Sequence, residues 1–142
     1  MHRSAGGRRP STRAAHGVAL VRLFLGGGAL GILIWTYGVG IRGQGANPFD
    51  YFGYFTNLTS LLTCVLLITT AVRMLRARAI PSALILCRGV AVTCMLLVAL
   101  IYNLIVPGTG SAPVWVSIAL HGVLPALVLA DWMLVGDRPP LA

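Results

Sequence analysis

VWVSIALHGVLPALVLADWMLV, residues 114–135, is 22 residues of almost unbroken apolar sequence interrupted by His121, Pro125 and Asp131. A helix needs roughly 20 apolar residues to cross the hydrocarbon core of a bilayer. Three further stretches of that length occupy most of the chain: Val18–Ile41, Tyr51–Val72 and Leu84–Val106. The runs are continuous rather than alternating, which excludes a β-barrel. The expected fold is therefore all-α, a polytopic transmembrane bundle of four helices. The composition agrees, with 57% hydrophobic and only 10% charged residues in a chain of 142. That balance excludes a soluble globular domain.

The formal charge of +8 comes from Arg alone. Nucleic acid is not the expected partner, because the arginines flank the spans. Arg3, Arg8, Arg9 and Arg13 precede the first, and Arg73, Arg76 and Arg78 separate the second from the third. Arg22 and Arg88 lie in the first turns of their helices, where their stems are expected to snorkel to the interface. The connections 42–50 and 107–113 hold one Arg and none. The positive-inside rule then places both termini and the Arg73–Ala83 loop in the cytoplasm, with the plasma membrane as the expected location. Residues 1–16 are too poor in large apolar side chains to fold and are expected to form a disordered basic arm, with one membrane domain over 17–142. The first apolar stretch is too long for a cleaved secretory signal and is expected to stay as an anchor.

Cys64, Cys87 and Cys94 are odd in number, lie within the spans and form no C-x-x-C pair, so packing is their expected role and no metal or cofactor is implied. Gly27 and Gly31 form a G-x-x-x-G that admits close helix approach; packing within the monomer is the favoured use, a helix-mediated oligomer the alternative. Trp35 fits an aromatic belt, whereas Tyr51, Tyr54, Tyr102 and Trp115 flank polar groups and have open roles.

Ionisable groups within a span are costly and usually functional, which singles out His121. Pro125 lacks an N–H, so the carbonyl four residues earlier, that of His121, loses its helical partner and a kink is expected there. On the second span Thr56, Thr59, Ser60, Thr63 and Thr70 recur on one face, where bonding back to their own helix is the expected role of the stripe as a whole. By depth, Thr56, Asn103 and His121 share the outer half of the membrane. Asp131 lies ten residues beyond His121, about 15 Å at the helical rise, too far to serve it as a carboxylate partner. Thr and His together form a nucleophile and base in outline. Asn57 or Asn103 could orient the imidazole or donate to an oxyanion, with Ser60 and Ser117 as further supporting polar groups.

The order Phe49-Asp50-Tyr51-Phe52, Tyr54-Phe55-Thr56-Asn57, Arg88-Gly89, Tyr102-Asn103, Trp115, His121-x-x-x-Pro125 and Asp131-Trp132 resembles the androgen-induced and ADTRP-like integral membrane family, most of all its bacterial Pr-six-Pr branch. The resemblance runs from about Asn47 to Val135. It implies a threonine hydrolase of fatty acyl esters, since the animal members cleave fatty acid esters of hydroxy fatty acids. Their nucleophile and base map to Thr56 and His121. This chain departs in placing Asn57 directly after the Thr, where the animal pattern has its Asn three residues on, and in carrying four of the usual six spans. Membrane lipids or fatty acyl esters are the partners so implied. The alternative is a non-catalytic lipid-binding or scaffold protein in which the Thr/His pair is structural.

Overall fold

A computed structural model describes residues 12–44, 47–108 and 112–135. Every regular element among them is helical: α1 (Thr12–Gln44), α2 (Pro48–Gly53), α3 (Phe55–Leu75), α4 (Ser82–Leu100), α5 (Val114–Ile118) and α6 (Leu124–Leu134). A π turn, Ile101–Ile105, prolongs α4, and a second, Ala119–Val123, joins α5 to α6. Among the described residues, four helical segments are long and apolar enough to cross a membrane, spanning Arg13–Gly40, Phe55–Leu75, Ser82–Ile105 and Val114–Leu134. The all-α bundle of four spans expected from the sequence is the observed architecture.

α1 packs along α3, α3 against α4, and α4 against α6. Ala29 and Leu33 of α1, Cys64 and Leu67 of α3, Val92 and Met95 of α4, and Val116, Leu120, Leu124 and Val128 of the last span form one buried cluster. Large apolar side chains such as Phe24, Leu86, Leu104 and Leu134 face outward, as lipid-facing surfaces do.

Several boundaries differ from the sequence reading. α1 is already helical at Thr12, within the stretch expected to be a disordered arm, and residues 1–11 lie outside the described residues. The second span starts at Phe55 rather than Tyr51, because residues 48–53 form a separate short helix. Asn47 caps that helix, its Oδ1 accepting from the Phe49 N–H at 3.0 Å, and Pro48 occupies the first helical position, where a missing N–H costs nothing. The chain then turns at Tyr54, whose backbone is extended (φ −64°, ψ 130°). Asn57 locks the corner by donating from Nδ2 to the Tyr51 carbonyl at 2.8 Å.

The close approach of α1 to α3 is made by Gly26, not by the Gly27/Gly31 pair. A Cβ at Gly26 would lie 2.9 Å from Ile68 Cγ1 and 3.1 Å from the Cys64 carbonyl. Gly27 and Gly31 have nothing within 4 Å at that position, so the expectation that they pack within the monomer is corrected. The reason is angular: one residue along a helix is about 100° around it, and only Gly26 falls on the α3 side.

At the end of the bundle that carries the Arg73–Ala83 connection, hereafter the arginine-loop end, α3 closes with Ala77 in the left-handed region (φ 49°). The Arg78 N–H reaches back to the Arg73 carbonyl at 2.9 Å and the Ala77 N–H to that of Met74 at 3.0 Å, the pattern of a Schellman cap. Arg73 braces the turn, donating from Nε and Nη2 to the Ala79 carbonyl at 2.9 and 2.7 Å.

Candidate functional site

Among the described residues, two polar centres lie within the bundle, one toward each end. Toward the arginine-loop end, α1, α4 and α6 meet at Asp131. Arg22 Nε donates to Asp131 Oδ1 at 2.9 Å and Oδ2 at 3.2 Å, and Arg88 Nη2 to Oδ2 at 2.8 Å. Arg22 also donates from Nη1 to the Met74 sulfur at 3.1 Å. Arg22 is fully buried and the Arg88 side chain is 4% exposed. Neither guanidinium snorkels to the interface, contrary to the sequence expectation. Each finds a carboxylate inside the protein, and pairing there replaces hydration at the membrane boundary.

The neighbours of these residues also meet. Gly89 lies against Trp132, where a Cβ would stand 3.3 Å from ring carbons Cη2 and Cζ2. The Arg88 guanidinium sits 5.6 Å from the centroid of the same indole, within cation–π range. Arg88-Gly89 and Asp131-Trp132, quoted above as separate motifs, are thus one interhelical joint. A cavity of about 10 Å³ adjoins it, lined by Thr63, Leu66, Leu67, Arg88, Val92, Val128 and Asp131; that is room for about one water. The sequence carries a signal for this centre: two cations and one anion, Arg22, Arg88 and Asp131, lie within spans and all toward the same end. Such groups pair with one another.

Toward the other end, the two π turns face each other. His121 lies in the second, half-buried, with Nδ1 3.0 Å from the Ser117 carbonyl. A carbonyl can only accept, so Nδ1 carries the proton in the neutral ring and Nε2 holds the lone pair. One face of the imidazole is covered by Tyr102 of the first π turn, with ring centroids 3.8 Å apart and planes 20° off parallel. Asn103, next in sequence, donates from Nδ2 to the His121 carbonyl at 3.0 Å and to that of Ala99 at 2.8 Å.

The carbonyl that Pro125 was expected to strand is therefore the one that Asn103 satisfies. The backbone accommodates the proline as a π turn, in which the Leu124 N–H reaches the Ala119 carbonyl. π turns inside α-helices occur disproportionately at functional sites, and here two of them meet.

Thr56 lies in the first turn of α3, half-buried, and its side chain makes no hydrogen bond among the described residues. The other threonines of the stripe are bonded back to their own helix: Thr59 to Phe55 O at 2.7 Å, Thr63 to Thr59 O at 2.8 Å and Thr70 to Leu66 O at 2.7 Å. Thr56 has no such option, because the residue four earlier is Phe52, beyond the corner at Tyr54. Ser60 is fully buried, and its hydroxyl has no partner among the described residues.

Among the sequence-selected residues, then, the fold brings His121, Ser117 and Asn103 into direct contact. Asn57 serves the α2–α3 corner instead. Thr56 and His121 share no hydrogen bond. Asp131 bonds the two arginines rather than the imidazole, as the spacing along the last span required. Tyr102 is one of four aromatic residues whose roles are open in the sequence, and ring stacking across two helices has no signature in sequence spacing. Cys64 joins the core, whereas Cys87 is exposed. Compared with family models, with curated proteins and with solved structures, the chain matches none.

Proposed function

We propose that this membrane protein hydrolyses fatty acyl esters, with Thr56 as nucleophile and His121 as general base. The observation that carries the reading is the state of the imidazole. Its Nδ1–H is engaged by the Ser117 carbonyl and its face by Tyr102, which leaves Nε2 as the acceptor that a base requires. Thr56 adds a hydroxyl not committed to its own helix. The first-turn N–H groups of α3 have no intrahelical acceptor and carry the positive end of the helix dipole, which suits a developing oxyanion.

In this mechanism the Thr56 oxygen attacks the ester carbonyl carbon while its proton passes to His121 Nε2. The tetrahedral intermediate collapses, the C–O bond to the leaving alcohol breaks, and the imidazolium returns the proton to that oxygen. Water, deprotonated by the same Nε2, then attacks the acyl-threonine; the bond from Thr56 Oγ1 to the acyl carbon breaks, the imidazolium returns its proton to Oγ1, and the fatty acid leaves. Thr56 and His121 share no hydrogen bond; catalytic contacts of this kind commonly tighten only in the complex with substrate.

A specific observation favours a second reading, a non-catalytic lipid-binding or scaffold protein. Asn103 and the His121 carbonyl form a bond that seals the backbone at Pro125, a use that needs no chemistry. Purified protein in detergent, assayed with a long-chain p-nitrophenyl ester and a fluorophosphonate probe, separates the two. Hydrolysis and labelling that vanish in folded Thr56→Ala support the hydrolase. Equal turnover in that variant overturns Thr56 as the nucleophile, and no turnover in the wild type supports the scaffold.

A further inference from the structure

Tyr102 covers one face of the His121 imidazole, yet no atom of Tyr102 takes part in the steps of the reaction. The stack joins two helical spans through two π turns, and the rings overlap at 3.8 Å and 20°. A ring packed face to face at that distance cannot tilt without losing contact. Of the orientations left to the imidazole, the one observed turns Nδ1 to the Ser117 carbonyl at 3.0 Å. The Tyr102 hydroxyl makes no hydrogen bond among the described residues, so whatever the side chain contributes resides in the ring and not in the oxygen.

We infer that Tyr102 is the positioning residue of His121: its ring holds the imidazole plane against Ser117, fixes the Nδ1–H tautomer and thereby keeps Nε2 as the accepting nitrogen. A base whose tautomer is unfixed spends part of its time with the proton on the nitrogen that must receive one. The anchor is built from the backbone outward. Asn103 clamps the His121 carbonyl from the same π turn that supplies Tyr102, so ring and main chain of His121 are gripped by consecutive residues. The catalytic part of this inference rests on the hydrolase reading; the tautomer part does not.

The two parts are tested separately. Protein labelled with ¹⁵N-histidine is placed in detergent micelles, and the His121 ring signals are identified by their loss in His121→Gln. The wild type is expected to show a single neutral tautomer with Nδ1 protonated. Tyr102→Phe should keep it, whereas Tyr102→Leu and Tyr102→Met should populate both tautomers and draw the two ring ¹⁵N shifts together. Two aliphatic variants are used so that loss of fold in one leaves the other. A Leu or Met variant that is folded and retains the wild-type tautomer overturns the inference.

In the ester assay, kcat of the aliphatic variants should fall about 10- to 100-fold with KM nearly unchanged, the scale expected when a catalytic group is misplaced, and Phe should restore it. Full kcat in Tyr102→Leu beside an inactive Thr56→Ala would overturn the positioning role while leaving the hydrolase reading intact. No hydrolysis by the wild type would sink the hydrolase reading, and the ¹⁵N tautomer result would then decide the Tyr102 inference by itself.

Discussion

At Asp131, one carboxylate accepts from two buried guanidiniums contributed by α1 and α4. Removing one member of a buried ion group leaves the others desolvated without compensation, at a cost of about 3–5 kcal/mol. Asp131→Asn is therefore expected to unfold more readily in detergent, by roughly that amount in chemical or thermal denaturation. Adding Arg22→Met to Asp131→Asn should cost less than the sum of the two changes, because members of one charge network couple. Strict additivity would show that the two groups do not interact. For Thr56→Ala and His121→Ala the expectation is also non-additive: each abolishes ester cleavage and the pair together loses no more, as for a nucleophile and base acting as a unit. Folded Asp131→Asn should retain cleavage, since Asp131 bonds the arginines and not the imidazole.

At the scale of elements, the last span shows how a proline is absorbed in a setting without water. The His121 carbonyl has an Asn103 amide in place of a backbone N–H. Lipid cannot donate a hydrogen bond, so Asn103→Leu strands that carbonyl, at about 1–3 kcal/mol. Pro125→Ala restores an N–H at the right position in the helix. The double variant should recover most of the stability lost in Asn103→Leu; no recovery in a detergent melt would show that the Asn103 bond does not substitute for the missing one. On the first span the contrast is steric. Gly26→Ala forces a Cβ to 2.9 Å from Ile68 and 3.1 Å from the Cys64 carbonyl, an overpacking expected to cost about 1–3 kcal/mol. Gly27→Ala meets nothing within 4 Å and should leave the melting temperature of the monomer almost unchanged.

For the whole molecule, the question is which face of the membrane holds the arginine-loop end. Arg73, Arg76 and Arg78 sit together there, opposite the 107–113 connection that has no basic residue. The positive-inside rule then expects the loop in the cytoplasm. A cysteine placed at Ser82, an exposed residue at the start of α4, on a background lacking Cys64, Cys87 and Cys94, should resist impermeant thiol reagents in intact cells and react after permeabilisation. Labelling in intact cells would reverse the orientation.

The sequence by itself determined the number and approximate length of the spans and the all-α class, because a bilayer leaves a long apolar run one way to satisfy its backbone. It also determined that the His121 carbonyl needs a donor from outside its helix, because that follows from the missing N–H of Pro125. Thr59, Thr63 and Thr70 bonding back to their own helix was legible for the same local reason. What only the tertiary structure decided is which helix faces meet. That Gly26 rather than Gly27 touches α3, that Arg22 and Arg88 turn inward to Asp131, and that Tyr102 lies over His121 depend on the rotation of each helix about its axis. Hydropathy along the chain is nearly blind to that rotation here, because lipid and protein interior are both apolar, so the outward and inward faces look alike until packing chooses between them.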